Sequence, residues 1–180
     1  MELRAPDLLT AEHGLTAFDS GVASLDDWLR RQALANQFSG ASRVYVVAAP
    51  VNRVVGYYAL ASGALAHADA PGRMKRNMPD PVPMAVLGRL AIDRSMQGRG
   101  LGVALLQDAV LRVHQAAAIM GIRGVLVHAI SDEARAFYEH HGLCVGDEPF
   151  HPDPLGRGQA ARPVNTQLSD SGFVAGTGWG

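Results

Sequence analysis

A chain of 180 residues, 48% of them apolar, is long enough for one domain with a real core, and two domains are not expected. Its single cysteine, Cys144, excludes an intrachain disulfide and a thiolate metal cluster. The formal charge of −1 hides a segregation, because Arg and Lys far outnumber acids between Trp28 and Arg123 while both ends are acidic.

In that basic middle the acids are Asp69, Asp80, Asp93 and Asp108, an excess of cations that suits a polyanion such as RNA and equally a solvated mixed surface. No run of about 18 apolar residues appears. The N-terminal Met1-Glu2-Leu3-Arg4-Ala5-Pro6 lacks the layout of a secretory signal, so a soluble, cytoplasmic protein without a membrane partner is expected.

Residues 3–20 are mixed and turn-prone, with Leu8-Leu9-Thr10 as a short lead-in. Ser24 followed by Asp27 has the spacing of a capping box. One helix is therefore expected over residues 25–38, with Leu25, Trp28, Leu29 and Ala33 inward and Arg30, Arg31 and Gln37 toward solvent. Residues 43–49 and 54–62, rich in Val and Tyr and joined at Pro50-Val51-Asn52-Arg53, read as an antiparallel hairpin. The stretch 69–83 holds four prolines (Pro71, Pro79, Pro81, Pro83) and reads as a long functional connection carrying Arg73, Lys75 and Arg76.

The centre of the chain changes character twice. Residues 86–92 read as a buried strand, Gln97-Gly98-Arg99-Gly100-Leu101-Gly102 as a glycine-rich turn, and the stretch from Leu101 onward as a long amphipathic helix. That helix places Leu101, Leu105, Ala109 and Val113 on one side, with Ala104, Leu111 and Ala116 beside them. Gly121 and Gly124 then bracket a reversal into the apolar run 125–129, a buried parallel strand. Ser131 caps a helix from Asp132 to about His141, stopped by Gly142, which completes a βαβ unit. Beyond Leu143 prolines and glycines interrupt every pattern. Residues 1–145 are therefore expected to form the domain and 146–180 an irregular or disordered tail, with weak strand signals at Leu143-Cys144-Val145 and from Pro163 to Leu168.

Strand, glycine turn and helix in that order make an anion cradle, since the helix N-terminus presents amides and the positive end of its dipole. The turn lacks the Gly-Lys-Ser/Thr of a P-loop and the Gly-x-Gly-x-x-Gly of a dinucleotide site. Tyr138, in Ala136-Phe137-Tyr138-Glu139-His140-His141, is a phenol able to protonate a leaving group, or alternatively a core aromatic. Asp93 reads better as a turn residue than as a base. His67, His114 and His128 have no metal-ligand spacing, so no metal is expected.

Gln97, Gly100 and Gly102 resemble the Gln/Arg-x-x-Gly-x-Gly/Ala signature of the GNAT superfamily of N-acetyltransferases. Phe18-Asp19-Ser20-Gly21, Ser24 through Leu29, Val55 through Leu60, Pro79 through Pro83 and Leu87 through Ala91, in this order, resemble its toxin members in bacterial toxin–antitoxin pairs. The resemblance implies a single-domain α/β fold with a central mixed sheet flanked by helices and splayed near Leu90. It also implies acetyl-CoA as co-substrate, the α-amine of aminoacyl-tRNA as acceptor, a ribbon-helix-helix antitoxin and a homodimer. By the same resemblance, the coenzyme falls on the strand backbone at Leu90, Ala91 and Ile92 and on Gln97, Gly98, Arg99, Gly100, Leu101, Gly102 and Val103, and the catalytic tyrosine on Tyr138. Arg30, Arg31, Arg73, Lys75 and Arg76 are the candidates for tRNA phosphates. An α-amine titrating near 7.7–8.0 needs no strong protein base, whereas a lysine amine would. Acetylation of a small or protein amine, and a degenerate chain that only binds coenzyme A or the antitoxin, are the other readings.

Overall fold

The computed structural model describes residues 3–70, 72, 76–141 and 143, with the backbone of Thr166 and Gln167. These form a mixed sheet whose strand order follows the chain, β1 to β6, and four principal helices. Two compact units are distinguished, one built mainly on Met1–Ala61 and Arg89–Leu111, the other on Ser62–Gly88 and Arg112–Ser171.

In the first unit β1 (Asp7–Leu8) pairs antiparallel with β2 (Arg43–Ala49), placing Asp7 opposite Val46. Strand β2 pairs antiparallel with β3 (Arg53–Leu65), from Arg43 opposite Leu60 to Ala49 opposite Arg53, with a register shift between Val47 and Ala48. The expected hairpin is present, and both central residues of its turn, Val51 and Asn52, have positive φ. On one side of these strands Phe18, Leu25, Trp28, Leu29, Ala33, Val44, Val46, Val54, Tyr57 and Ala91 form a core. Tyr57 is its hub, edge-on to Phe18 at 5.6 Å and stacked on Trp28 at 6.0 Å, with its hydroxyl donating to the Leu25 carbonyl at 2.9 Å. Each large side chain removed from water here contributes about 1.5–3 kcal/mol before entropy is counted.

The single helix expected over 25–38 is two, α1 (Ala23–Arg31) and α2 (Ala33–Ser39), broken at Gln32. The break leaves both Leu29 and Ala33 fully buried, so each piece keeps its apolar side on the core. The capping box does not form either: Val22 is the cap residue and makes no side-chain bond. Asp26 turns inward instead, accepting from the Ser20 amide at 3.0 Å and the Ser20 hydroxyl at 2.6 Å.

In the second unit β4 (Val82–Ile92) begins earlier than the expected Val86, absorbing Pro83 near its start, where a ladder tolerates proline. Its first part pairs parallel with β5 (Gly124–Val127), Ala85 to Leu87 lying opposite Val125 to Val127. Leu65, Ala70, Val82, Met84 and Leu126 form the core beneath. A β-carbon on Gly63 would stand 2.5 Å from Val86 Cγ2, so this crossing requires glycine. Helix α4 (Asp132–His140) starts as expected, with the Ser131 hydroxyl accepting from the Ala134 amide at 3.1 Å. The irregular tail expected over 146–180 lies outside the described residues except for β6 (Thr166–Gln167), antiparallel to β5, and Gly142 and Cys144 lie outside them too.

Strands β3 and β4 and the long helix α3 (Leu101–Met120) run through both units. Leu101, Leu105, Ala109 and Val113 of α3 are buried as its period requires, whereas Leu111 is exposed.

Candidate active site

Strand β4 continues from Gly88 to Ile92 after its paired stretch with β5 ends at Leu87 and Val127. A parallel strand that loses its neighbour leaves unpaired peptide groups along one edge, and a second extended chain can hydrogen-bond to them. Leu90, Ala91 and Ile92 lie on this stretch.

Asp93 then turns the chain. Its carboxylate accepts from the Ser95 hydroxyl at 2.5 Å, the Ser95 amide at 3.0 Å and the Asp19 amide at 3.1 Å, and pairs with Arg53 at 3.9 Å. Burial pushes the Asp93 carboxyl up, but these hydrogen bonds and the Arg53 guanidinium outweigh it and hold the group below the usual range. Both of its oxygens are engaged by the loop, which fits a cap and not a base.

A 3-10 turn at Arg94–Met96 leads to Gln97, whose side-chain amide donates to the Ile92 and Ser20 carbonyls, both at 2.9 Å. Gln97 thus acts from inside the turn, clamping strand end and N-terminal loop together. Gly98 and Gly100 have φ of 72° and 80°, a region that penalises any side chain, and a β-carbon on either would meet nothing within 4 Å. The space over the turn is open. Gly102 lies inside the first turn of α3, where the amides of Leu101, Gly102 and Val103 have no intrahelical acceptor and no acid competes for them. Open glycines, helix amides without an intrahelical acceptor and the dipole of a 20-residue helix suit a diphosphate.

Tyr138 belongs to the second unit, on α4, 6% exposed and edge-on to Phe137 at 5.4 Å. Burial pushes its phenol up to about 12.

The candidate RNA-binding cations separate. Arg30 is committed to the protein, donating to the Phe18 carbonyl at 3.2 Å and pairing with Asp27 at 3.7 Å and Asp26 at 3.9 Å. Arg31 is exposed beside it, Arg76 is exposed in the other unit, and Arg73 and Lys75 lie outside the described residues. Sequence reasoning passed over Arg89, which stands 4.2 Å above the Trp28 ring, and over Arg53 and Ser20, which hold the turn. A lone cation inside an apolar strand was the available signal for Arg89. Among the described residues no cluster of three or more His, Cys, Asp or Glu could hold a metal, and no helix is long and apolar enough to cross a membrane.

An unpaired strand end feeding a glycine turn and a helix N-terminus suits a ligand with an extended, hydrogen-bonding arm that ends in a diphosphate. The chain belongs to the GNAT acetyltransferase family: residues 40–142 match the model of the acetyltransferase (GNAT) domain. It is 55% identical over 148 residues, 82% of this chain and 89% of the other, to the tRNA-acetylating toxin of Mycobacterium tuberculosis (strain ATCC 25618 / H37Rv). Among solved structures it resembles AtaT complexed with acetyl-methionyl-tRNAfMet, with a TM-score of 0.74 and 32% identity over 82% of this chain and 91% of that one. It also resembles a tyrosine-to-phenylalanine mutant of the AtaT toxin bound to the C-terminus of the antitoxin AtaR and acetyl-CoA, with a TM-score of 0.67 and 30% identity over 79% and 85% of the two chains.

Proposed function

We propose that this chain is the toxin of a toxin–antitoxin pair that moves acetyl from acetyl-CoA to the α-amine of aminoacyl-tRNA and so blocks translation. The observation that carries the reading is the 55% identity, spread over 82% of the chain, to a tRNA-acetylating toxin. The open turn at Gly98 and Gly100 supports it independently, because it suits the diphosphate of the coenzyme.

Acetyl-CoA supplies the activated acetyl thioester. In this reading the peptide groups of Leu90, Ala91 and Ile92 align the pantetheine arm, and the turn from Gln97 to Val103 holds the diphosphate. The acceptor needs little help: an α-amine has an ordinary pKa of about 7.7–8.0, so a useful fraction is neutral near pH 7. Tyr138 is the general acid. Passing a whole proton from a phenol at about 12 to an alkyl thiolate near 8.5 is uphill by roughly 5 kcal/mol. Tyr138 Oη therefore stays protonated, donates a hydrogen bond to the departing sulfur, and relays to it the proton released by the attacking nitrogen as the amide forms.

The finer assignments belong to the same reading: a ribbon-helix-helix antitoxin, a homodimer, a cytoplasmic location, a catalytic domain at residues 1–145, and tRNA phosphates on Arg31, Arg73, Lys75 and Arg76, with Arg30 contributing less because it is already paired. Transfer of radiolabelled acetyl from acetyl-CoA should reach bulk charged tRNA and leave deacylated tRNA and polyamine unlabelled. Label on polyamine alone would replace the proposal with a small-amine acetyltransferase, and coenzyme binding without transfer to any acceptor would make the chain a binding protein.

A further inference from the structure

Among the described cations of the first unit, Arg4, Arg31, Arg43 and Arg99 are exposed to water and need no partner, and Arg89 is half-buried. Arg30, Arg53 and Arg94 each lie within 4.0 Å of a carboxylate, at 3.7 Å from Asp27, 3.9 Å from Asp93 and 3.7 Å from Asp19. Arg89, although half-buried, forms an ion pair with no acid among the described residues. Asp26, the buried acid on α1, is occupied by Ser20 and Arg30.

What Arg89 has is a platform. Its guanidinium carbon stands 4.2 Å over the Trp28 ring, and Trp28 is itself buried and stacked on Tyr57 at 6.0 Å, so the surface beneath the cation is rigid. Lying over an aromatic face restrains the flat group and leaves its N–H donors at the rim, the arrangement suited to a bidentate phosphate. A desolvated cation with no internal partner is costly to keep, and an external anion removes that cost.

Position selects the anion. Side chains alternate along a strand, and Arg89 and Ala91 share the α1 side of β4, since Ala91 belongs to the core that holds Trp28. Leu90, between them, belongs to the stretch 90–92 whose peptide groups align the pantetheine arm in the function proposed above. In an aminoacyl-tRNA the amino acid that carries the reacting amine is esterified through its carboxyl to the terminal ribose, and the nearest anion is the phosphodiester on the other side of that same ribose. Resting on the function proposed above, we infer that Arg89, held flat on Trp28, binds the phosphodiester of the terminal nucleotide and so positions the acceptor amine at the thioester.

The test compares two acceptors that carry the same reacting amine: the aminoacyl-tRNA that the chain acetylates, and the matching 3′-aminoacyl-adenosine, which has no phosphodiester. Arg89→Met keeps an apolar stem on Trp28 and drops the charge, and Arg89→Lys keeps the charge without the fork. For Arg89→Met, kcat/KM should fall about tenfold or more further on aminoacyl-tRNA than on aminoacyl-adenosine, chiefly in KM, with Arg89→Lys between it and the parent. The slope of log(kcat/KM) against log salt for the tRNA should become shallower by about one. Equal losses on both acceptors, or an unchanged salt slope, would overturn the inference and leave Arg89 as packing for Trp28. Should Arg89→Met not fold, the Arg89→Lys comparison on the two acceptors decides alone. A parent protein that labels no charged tRNA at all would sink the proposed function, a result separate from any of these.

Discussion

Gly56 and Leu105 meet so closely that a β-carbon at residue 56 would stand 3.1 Å from Leu105 Cδ1. Ile92 Cδ1 lies equally near and Leu101 Cδ2 lies at 3.4 Å. The absence of a side chain on β3 therefore sets how deeply the N-terminal turn of α3 sits on the sheet, beside the end of β4. Gly56→Ala should destabilise the fold by about 1–2 kcal/mol, because three methyl groups converge on the same point and must give way together. It should also weaken acetyl-CoA several-fold, since the helix end proposed to hold the diphosphate is lifted. Urea denaturation and coenzyme titration calorimetry check the two effects, and a variant at least as stable as the parent would show that the crossing has slack.

Gln97 is expected to behave as a structural clamp. Gln97→Ala leaves the Ile92 and Ser20 carbonyls without their shared donor and should cost about 1–2 kcal/mol, with a matching drop in coenzyme affinity. Gln97→Glu should be worse, because a carboxylate there faces two carbonyl oxygens. If Gln97→Glu matched the parent in both melting temperature and coenzyme affinity, the clamp would be irrelevant.

Tyr138→Phe separates chemistry from binding. Loss of a proton donor should lower kcat on charged tRNA by about 10²–10⁴ while acetyl-CoA binding changes little. The same variant tests the alkaline limb of stability. Burial raises the Tyr138 phenol from 10.0 to about 12, so the folded state holds that proton more tightly than the unfolded chain. This contribution is fully present below pH 10 and is lost as pH rises toward 12, at roughly 1.4 kcal/mol per pH unit. Tyr57, also raised by burial, adds to the same fall. Denaturant midpoints at pH 9 and pH 11 should therefore drop less in Tyr138→Phe than in the parent, and identical drops would mean the phenol is no better buried than in the unfolded chain.

Val51 occupies the hairpin turn with φ of 65° and is 98% exposed. A β-branched side chain in the left-handed region costs about 1–2 kcal/mol and here gains no burial in return. Val51→Gly should raise the melting temperature and leave acetyl transfer as it was. A lower melting temperature would indicate that the valine packs against something in solution.

Much of the backbone around the candidate site was legible because it is local. The order of strand, glycine turn and helix from Val86 to Val113 is written in short-range terms: apolar period, glycines where φ must be positive, and a helix whose first amides lack acceptors. The hairpin at Pro50–Arg53 and the Ser131 cap are of the same kind, each decided within a few residues.

What the sequence left open is what depends on groups far apart along the chain. The helix expected over 25–38 broke at Gln32, and its capping box yielded to Ser20, because both ends of α1 answer to the core and to a buried carboxylate. Gln97 became a clamp through the carbonyl of Ser20, Arg30 was withdrawn from the list of free cations by Phe18, and Arg89 gained its platform from Trp28. Periodicity and spacing record which faces are apolar and where the backbone must bend. They do not record which charge finds a partner across the fold, and in this protein that pairing decides which cations remain available for the proposed RNA contact.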